Sequence, residues 1–231
     1  MNILITAGGT TEKIDAVRGI TNYAGGRLGS LVADCFGASD AVERIFYVCS
    51  RAAQRPATQK AQCILAEDTR ELEAAVRQLL AQNRVDAVIH SMAVSDYRVK
   101  TVTTLPHLLS GKELDRTQKI PSGRTDLLLQ LEPTPKIIAL FRTLAPGALL
   151  VGFKLLSGAG EAELIDTAYR LLQENGCTFV LANDLREFHG DAHAAYLIDG
   201  AKQLTHFNTK QQIARGIAAA VLEKSEREAV L

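Results

Sequence analysis

The sequence carries no surplus of charge of either sign: 26 Lys and Arg stand against 26 Asp and Glu over 231 residues. A protein with a general affinity for nucleic acid or an anionic membrane would show a basic excess, so neither partner is expected. No uninterrupted apolar run is long enough to cross a bilayer. Met1-Asn2 leads straight into an apolar run, without a basic segment or a cleavage site, and the expectation is a soluble, cytoplasmic protein. The four cysteines, Cys35, Cys49, Cys63 and Cys177, include no C-x-x-C pair. Cys49 and Cys177 lie in strand-like apolar runs and Cys35 in a helical one, which favours buried thiols over disulfides or metal ligands. The five histidines contain no H-E-x-x-H, and His189 and His193 flank Gly190 in a polar stretch that reads as a loop. A protein-bound metal site is therefore not expected. Internal repeats and low-complexity tracts are also absent, and the length suits one domain, 1–231, with a substantial core.

What the chain does have is an unusual opening, Ile3 to Gly29. The short apolar run Ile3-Leu4-Ile5 breaks at Ala7-Gly8-Gly9-Thr10, which reads as a buried strand ending in a tight turn. A second cluster, Gly25-Gly26-Arg27-Leu28-Gly29, leads into the start of a helix near Leu31. Glycines at a strand end and at a helix start let backbone N–H groups approach a phosphate, and the helix N-terminus favours its charge. Glycine-rich turns also occur where backbones simply pack closely, so the glycines alone leave both readings open. The dinucleotide fingerprint, G-x-G-x-x-G directly after the first strand, is not matched, because Thr11 to Asn22 separates the two clusters. A loop of that length in a compact domain is usually functional.

Further along, Arg44–Cys49, Gln62–Leu65 and Val85–His90 read as strands. Asp68 is an N-cap opening a helix to about Ala81. Arg98 to Arg124 is rich in charge, Thr, Ser and Leu, without a clear period in its second half, and reads as a mobile flap over 98–124. Leu127–Leu131 is a strand, and Pro133-Thr134-Pro135 starts a helix through Phe141. Leu149–Lys154 is a buried strand, Gly160–Asn175 a helix capped by Gly176, and Phe179–Ala182 a strand running into Asn183-Asp184. The tail reads as a hairpin, Ala195–Ile198 and Gln203–His206 around Asp199-Gly200, then a helix over Gln211–Lys224. Strands alternating with helices predict an α/β, Rossmann-like three-layer fold with a mostly parallel central sheet and a C-terminal β-hairpin.

These blocks resemble one family in order. Ile5-Thr6-Ala7-Gly8-Gly9-Thr10, Ile14-Asp15-x-Val17-Arg18-x-Ile20-Thr21-Asn22 and Gly26-x-x-Gly29 are similar to the opening signature of phosphopantothenate–cysteine ligases. Ala93-Val94-Ser95-Asp96-Tyr97, Lys119-Ile120, Thr134-Pro135-Lys136-Ile137, Val151-Gly152-Phe153-Lys154 and Ala182-Asn183-Asp184 resemble its later blocks. The resemblance is closest to the free-standing bacterial form. It implies joining 4′-phosphopantothenate to L-cysteine through an acyl-nucleotidylate, with CTP or ATP and Mg²⁺, by a homodimer. It assigns Asn22 and Lys119 to catalysis. Gly8, Gly9, Gly26, Gly29, Ser91, Met92, Ala93, Asp96, Pro135, Lys136, Ile137, Phe153 and Asn183 fall to the nucleotide, and Asn22, Ala24, Gly25 and Arg27 to the acid substrate.

Departures from the family pattern bear on the choice of nucleotide. Ala24 stands where the family commonly has serine, Lys136 where it often has aspartate, and Arg170 and Asn175 replace helix lysines; the flap also lacks a lysine-rich run. Two alternatives stand beside the ligase. One is an NADP-dependent oxidoreductase using Arg51 against a 2′-phosphate, although no Tyr-x-x-x-Lys pair is present. The other is a nucleotide-binding regulator that has lost turnover.

Overall fold

The computed structural model describes residues 1–124, 126–189 and 192–229. In chain order the elements are β1 (Asn2–Ala7), β2 (Thr11–Lys13), β3 (Gly19–Thr21), α1 (Arg27–Gly37), β4 (Arg44–Cys49), β5 (Ala61–Leu65), α2 (Thr69–Gln82) and β6 (Ala87–His90). Then follow β7 (Tyr97–Thr104), α3 (Leu105–Leu109), β8 (Leu127–Pro133), α4 (Ile137–Leu144), β9 (Leu149–Leu156) and α5 (Glu161–Asn175). The last are β10 (Phe179–His189), β11 (Ala192–Asp199), β12 (Leu204–Thr209) and α6 (Lys210–Ala229).

Eight strands form the central sheet in the order β12-β11-β10-β9-β6-β1-β4-β5. From β5 to β10 every pairing is parallel, and only β10-β11 and β11-β12 are antiparallel. The strict alternation of a strand sends successive side chains to opposite faces, and two cores result. Ile3, Ile5, Tyr47, Ile89 and Val151 pack on one face with Phe36 of α1 and Ile213 and Ile217 of α6. Leu4, Phe46, Val48, Val88 and Leu150 pack on the other with α2, α4 and α5. The three-layer α/β expectation is met. A parallel sheet covered on both faces also explains why β1, β4 and β6 read as continuous apolar runs.

Local signals set several boundaries. Asp68 caps α2, its carboxylate accepting from the Glu71 N–H. Gly176 ends α5 at φ 59°, a left-handed conformation that costs glycine little. The tail hairpin turns at Asp199, whose carboxylate accepts from the Ala201 and Gln203 N–H groups at 2.9 and 2.8 Å.

Elsewhere the structure corrects the sequence reading. The stretch after Gly9 is not one open loop, because β2 and β3 pair antiparallel as a small ribbon. The segment taken as a flap begins as strand β7 and short helix α3. The strand at Leu127–Leu131 belongs to β8, which pairs with β7 as a separate two-stranded arm and not with the central sheet. The helix expected from Pro133 starts only at Ile137, since Pro133 still pairs with Tyr97. His189 and His193 belong to β10 and β11, paired antiparallel; Gly190 lies outside the described residues. Cys177 precedes β10 instead of lying within a strand. The four thiols are free, with Cys49 and Cys177 buried, Cys35 half-buried and Cys63 exposed on edge strand β5.

Phe36 is completely buried between α1 and the sheet. Phe36→Ala removes that side chain and leaves a cavity, an expected loss of about 3–5 kcal/mol. Urea unfolding checks it; a loss under about 1 kcal/mol would mean that the α1 layer contributes little.

Candidate functional site

The order of the strands fixes where a site can form. The chain leaves β1 through α1 to β4 on one side, then returns through β5 and α2 to β6 on the other. The carboxyl ends of β1 and β6 are thus a switch point, where open α/β sheets present a crevice to ligands.

There the two strands stay joined after their regular pairing ends. The Ala93 N–H donates to Gly8 O at 2.9 Å and the Thr10 N–H to Ala93 O at 3.1 Å, around a parallel Gly9–Ala93 bridge. A buried ladder of hydroxyls reinforces the junction. Thr10 Oγ1 donates to Ser95 Oγ at 2.9 Å and accepts from the Ser95 N–H at 2.8 Å. Thr134 Oγ1 then donates to Ser95 O, and the Thr134 N–H to Asp96 O at 3.0 Å. Hydrogen bonds thus join the loops after β1, after β6 and before α4 into one body.

This body borders a cleft of about 470 Å³. Met92, Asp96, Pro135, Lys136, Ile137 and Phe153, six of the residues assigned to a nucleotide by resemblance, line it together. Asp96 and Lys136 pair at its mouth, both well exposed. An exposed pair of this kind contributes little to stability, so it can open for a ligand at small cost. His90, Glu174 and Asn175 also line the cleft, and the sequence reading missed all three as site residues. Asn175 had shown only as a departure from the lysines of relatives. His90 is held against Thr6 Oγ1 at 2.8 Å and edge-on to Phe141.

The remaining candidates lie outside the lining of that cleft. Gly9 approaches the backbone so closely that a Cβ there would lie 2.0 Å from Asn22 O. Gly8 has φ 89° and packs beside Ser50 and Ala53. Gly26 takes φ 72° as the N-cap of α1, where no side chain caps the helix. Gly29 lets α1 close onto Ala7 and Ser91. The glycines thus serve close packing, and they also leave the helix start without a capping side chain. Ser91 Oγ donates to Thr6 O. Asn22 is half-buried, its N–H donating to Thr10 O at 3.1 Å. Beyond it, Ala24 is half-buried, Gly25 and Arg27 exposed. Asn183 is not brought to the cleft: it is buried, with Nδ2 held 3.0 Å from His193 Nε2. Its neighbour Asp184 instead closes the β9–α5 loop by accepting from the Gly158 and Ala159 N–H groups.

Lys119 is exposed, whereas its neighbour Ile120 is buried. The arm that carries them is fastened to the β2–β3 turn. Asp15 Oδ2 accepts from the Ile120 N–H at 3.0 Å and from the Arg18 guanidinium, which also donates to Ile120 O at 2.6 Å. The Arg18 guanidinium, with the Val17 and Arg18 N–H groups, holds the Asp15 carboxyl well below the usual carboxylate range. Arg116 adds bonds from the arm to Ile14 O at 2.9 Å and back to Val99 O at 3.0 Å. At the other end of the ribbon, Glu12 Oε1 accepts from Thr69 N–H and Oγ1 at 2.9 and 2.6 Å, which ties it to the start of α2.

Among the described residues no group of three or more His, Cys, Asp or Glu side chains is placed to hold a metal. None of the described helices is long and apolar enough to cross a membrane.

Residues 1–224 match the family model described as the DNA/pantothenate metabolism flavoprotein C-terminal domain. A coenzyme A biosynthesis bifunctional protein CoaBC of Thermococcus kodakarensis is 35% identical over 214 residues, covering 92% of this chain and 48% of that protein. The chain thus spans about half the length of that relative, and also of the CoaBC of Methanocaldococcus jannaschii, where it covers 50%. Among solved structures, the DNA/pantothenate metabolism flavoprotein of Streptococcus pneumoniae superposes with a TM-score of 0.86 at 31% identity, over 97% of this chain and 99% of that one. The C-terminal domain of a CoaBC gives 0.73 at 25% identity, over 98% and 96%.

Burial pushes the His90 imidazole down to about 4, and burial with the nearby Lys210 charge does the same for His193. An unfolded histidine titrates near 6.5, so between about 4 and 6.5 the unfolded chain binds more protons. Stability is then full above about 6.5 and lost as the pH falls toward 4, by up to about 1.4 kcal/mol per pH unit for each histidine. Urea midpoints measured from pH 7 to 4 are expected to fall, and His90→Asn to flatten the slope; a flat profile for the parent chain contradicts this.

Proposed function

The chain belongs to the family of the DNA/pantothenate metabolism flavoprotein C-terminal domain, and on that footing we propose that it is a ligase joining 4′-phosphopantothenate to L-cysteine. The observation that carries this reading is that three separate stretches of sequence, holding six positions that the resemblance gives to a nucleotide, line one cleft at the switch point of the sheet. Relatives named as coenzyme A biosynthesis proteins support the same chemistry.

The reaction sets definite requirements. A carboxylate is a poor acyl donor, so the phosphopantothenate carboxylate attacks the α-phosphate of CTP or ATP and pyrophosphate leaves. The cysteine amine then attacks the acyl carbonyl of the nucleotidylate, and nucleoside monophosphate departs. Both steps concentrate negative charge, so preorganised donors and cations matter more than a protein nucleophile. In this reading the base occupies the cleft against Phe153 and Ile137, while Gly8, Gly9 and the α1 start at Gly26 and Gly29 face phosphate. Ser91 and Ala93 contribute through backbone at the same rim. Asn22 offers an amide to an acyl or phosphoryl oxygen without adding a competing charge, and Ala24, Gly25 and Arg27 border the acid. The exposed Lys119 ammonium swings onto the triphosphate while the backbone beside it stays fastened at Ile120, and covering the site keeps water from a hydrolysable intermediate. Asn183 acts only through His193 unless that hydrogen bond opens.

Mg²⁺ binds few carboxylates and several waters and phosphates. When bound with the triphosphate the ion would offset phosphate charge, and Asp96, exposed on the cleft lining, would be the carboxylate to hold it. The reading also carries a homodimer, supported by exposed Leu128, Leu129 and Leu131 on the β7–β8 arm, and a cytoplasmic location where nucleoside triphosphates are available. The oxidoreductase alternative gains no support from the comparisons, and its cation, Arg51, lies 3.6 Å from Glu67.

Pyrophosphate release is the direct assay. Purified protein is expected to release pyrophosphate from CTP or ATP only with phosphopantothenate present, and to form the cysteine conjugate when cysteine is added. Asn22→Asp is expected to retain nucleotide binding while conjugate formation drops at least about tenfold. Protein inert toward both triphosphates in the presence of the acid overturns the ligase; an Asn22→Asp variant with unchanged turnover overturns the role of Asn22.

A further inference from the structure

The two side chains assigned to catalysis are almost a hundred residues apart in sequence, yet both leave the same small structure. Asn22 directly follows β3, and Lys119 directly precedes Ile120. Between them stands Asp15, in the turn that joins β2 to β3. Its side chain is wholly buried. One oxygen, Oδ1, accepts from the Val17 and Arg18 N–H groups at 2.9 and 2.8 Å and shapes the turn. The other, Oδ2, accepts from the Ile120 N–H at 3.0 Å and from Arg18 Nε at 3.0 Å and Nη2. Arg18 Nη2 completes the ring by donating to Ile120 O at 2.6 Å. Both backbone groups of Ile120 are thereby occupied, and its side chain is buried among Val99, Val102 and Ile14.

A buried carboxylate is costly unless its oxygens are satisfied, so this ring holds a single arrangement or breaks as a unit. The far side of the ribbon is equally fixed, because Glu12 joins it to the α2 N-terminus. Lys119 itself remains exposed. Its backbone is thus anchored one residue away while its ammonium stays free to move.

We infer that Asp15 is a positioning residue that sets Lys119 and Asn22 in register with each other by clasping Ile120 of the arm to the β2–β3 turn. It touches neither substrate nor nucleotide. The inference rests on the ligase reading for what Lys119 does, whereas the clasp itself is independent of that reading.

Asp15→Asn separates the two oxygens' tasks. The amide oxygen can keep the turn, while the amide NH₂ would face the N–H donors of Ile120 and Arg18, and the tie to the arm is lost. Arg18→Lys is a second, milder variant, because one ammonium cannot span the carboxylate and Ile120 O as the planar guanidinium does. Hydrogen exchange reads the clasp without any assay of activity. In either variant the Ile120 amide is expected to exchange at least about tenfold faster, with β1 and β6 amides unchanged. Unchanged Ile120 exchange in both overturns the clasp.

Activity reads the positioning. Lys119→Ala and Asp15→Asn are each expected to lower kcat at least about tenfold, and the double variant to lie within about threefold of the weaker single. Shared loss of that kind marks residues acting as one unit. Losses that multiply, or an Asp15→Asn enzyme within twofold of the parent, overturn the positioning role even if exchange rises. A parent protein that releases no pyrophosphate instead overturns the ligase reading, and the exchange result still decides the clasp.

Discussion

The junction between β1 and β6 is the constraint on which the rest of the site depends. Parallel strands normally part at their carboxyl ends, and there the loops open to admit ligand. Here the Gly9–Ala93 bridge and the buried hydroxyls of Thr10, Ser95 and Thr134 prolong the contact past the sheet. Buried hydroxyls are costly when unpaired, so the ladder permits one mutual arrangement of three loops. The cleft at the start of α4 takes its shape from that rigidity.

From this junction the chain leaves in two directions. Past Thr10 it forms the β2–β3 ribbon, seated on the α2 N-terminus by Glu12. Past Asp96 it forms the β7–β8 arm, which returns to the body at Thr134. The ribbon and the arm meet at Asp15, Arg18, Arg116 and Ile120. The architecture is therefore a closed circuit: body to ribbon, ribbon to arm, arm back to body. Asn22 follows the ribbon and is bonded through its N–H to Thr10 O at the junction itself.

Most of the central sheet was legible in the sequence because burial on both faces leaves an apolar run that needs no partner to be recognised. β4 was bounded correctly, and α5 ended where Gly176 required it. The β2–β3 ribbon was not legible. Its strands, Thr11-Glu12-Lys13 and Gly19-Ile20-Thr21, are three residues each and largely polar, and their stability comes from Thr69 and Ile120, far away in the chain. β10 runs past Ala182 because β11 offers it a partner, a fact of pairing rather than of composition. The site was legible as a set of motifs, and three of them converge on the cleft with six of the named residues. Asn183 lies apart from the cleft, engaged by His193, and His90 and Glu174 gave no signal, since a buried imidazole at the end of an apolar strand and a glutamate near a helix end are both ordinary.

In the proposed function this cleft receives the nucleotide, whose phosphates run toward the first glycine turn. A crystal structure of the protein soaked with CTP, Mg²⁺ and 4′-phosphopantothenate tests it most directly. The expected result is the base between Phe153 and Ile137, the Asp96–Lys136 pair opened, and the phosphates near Gly8 and the start of α1. Nucleotide bound elsewhere with the cleft unchanged, or no nucleotide bound at saturating concentration, would contradict it.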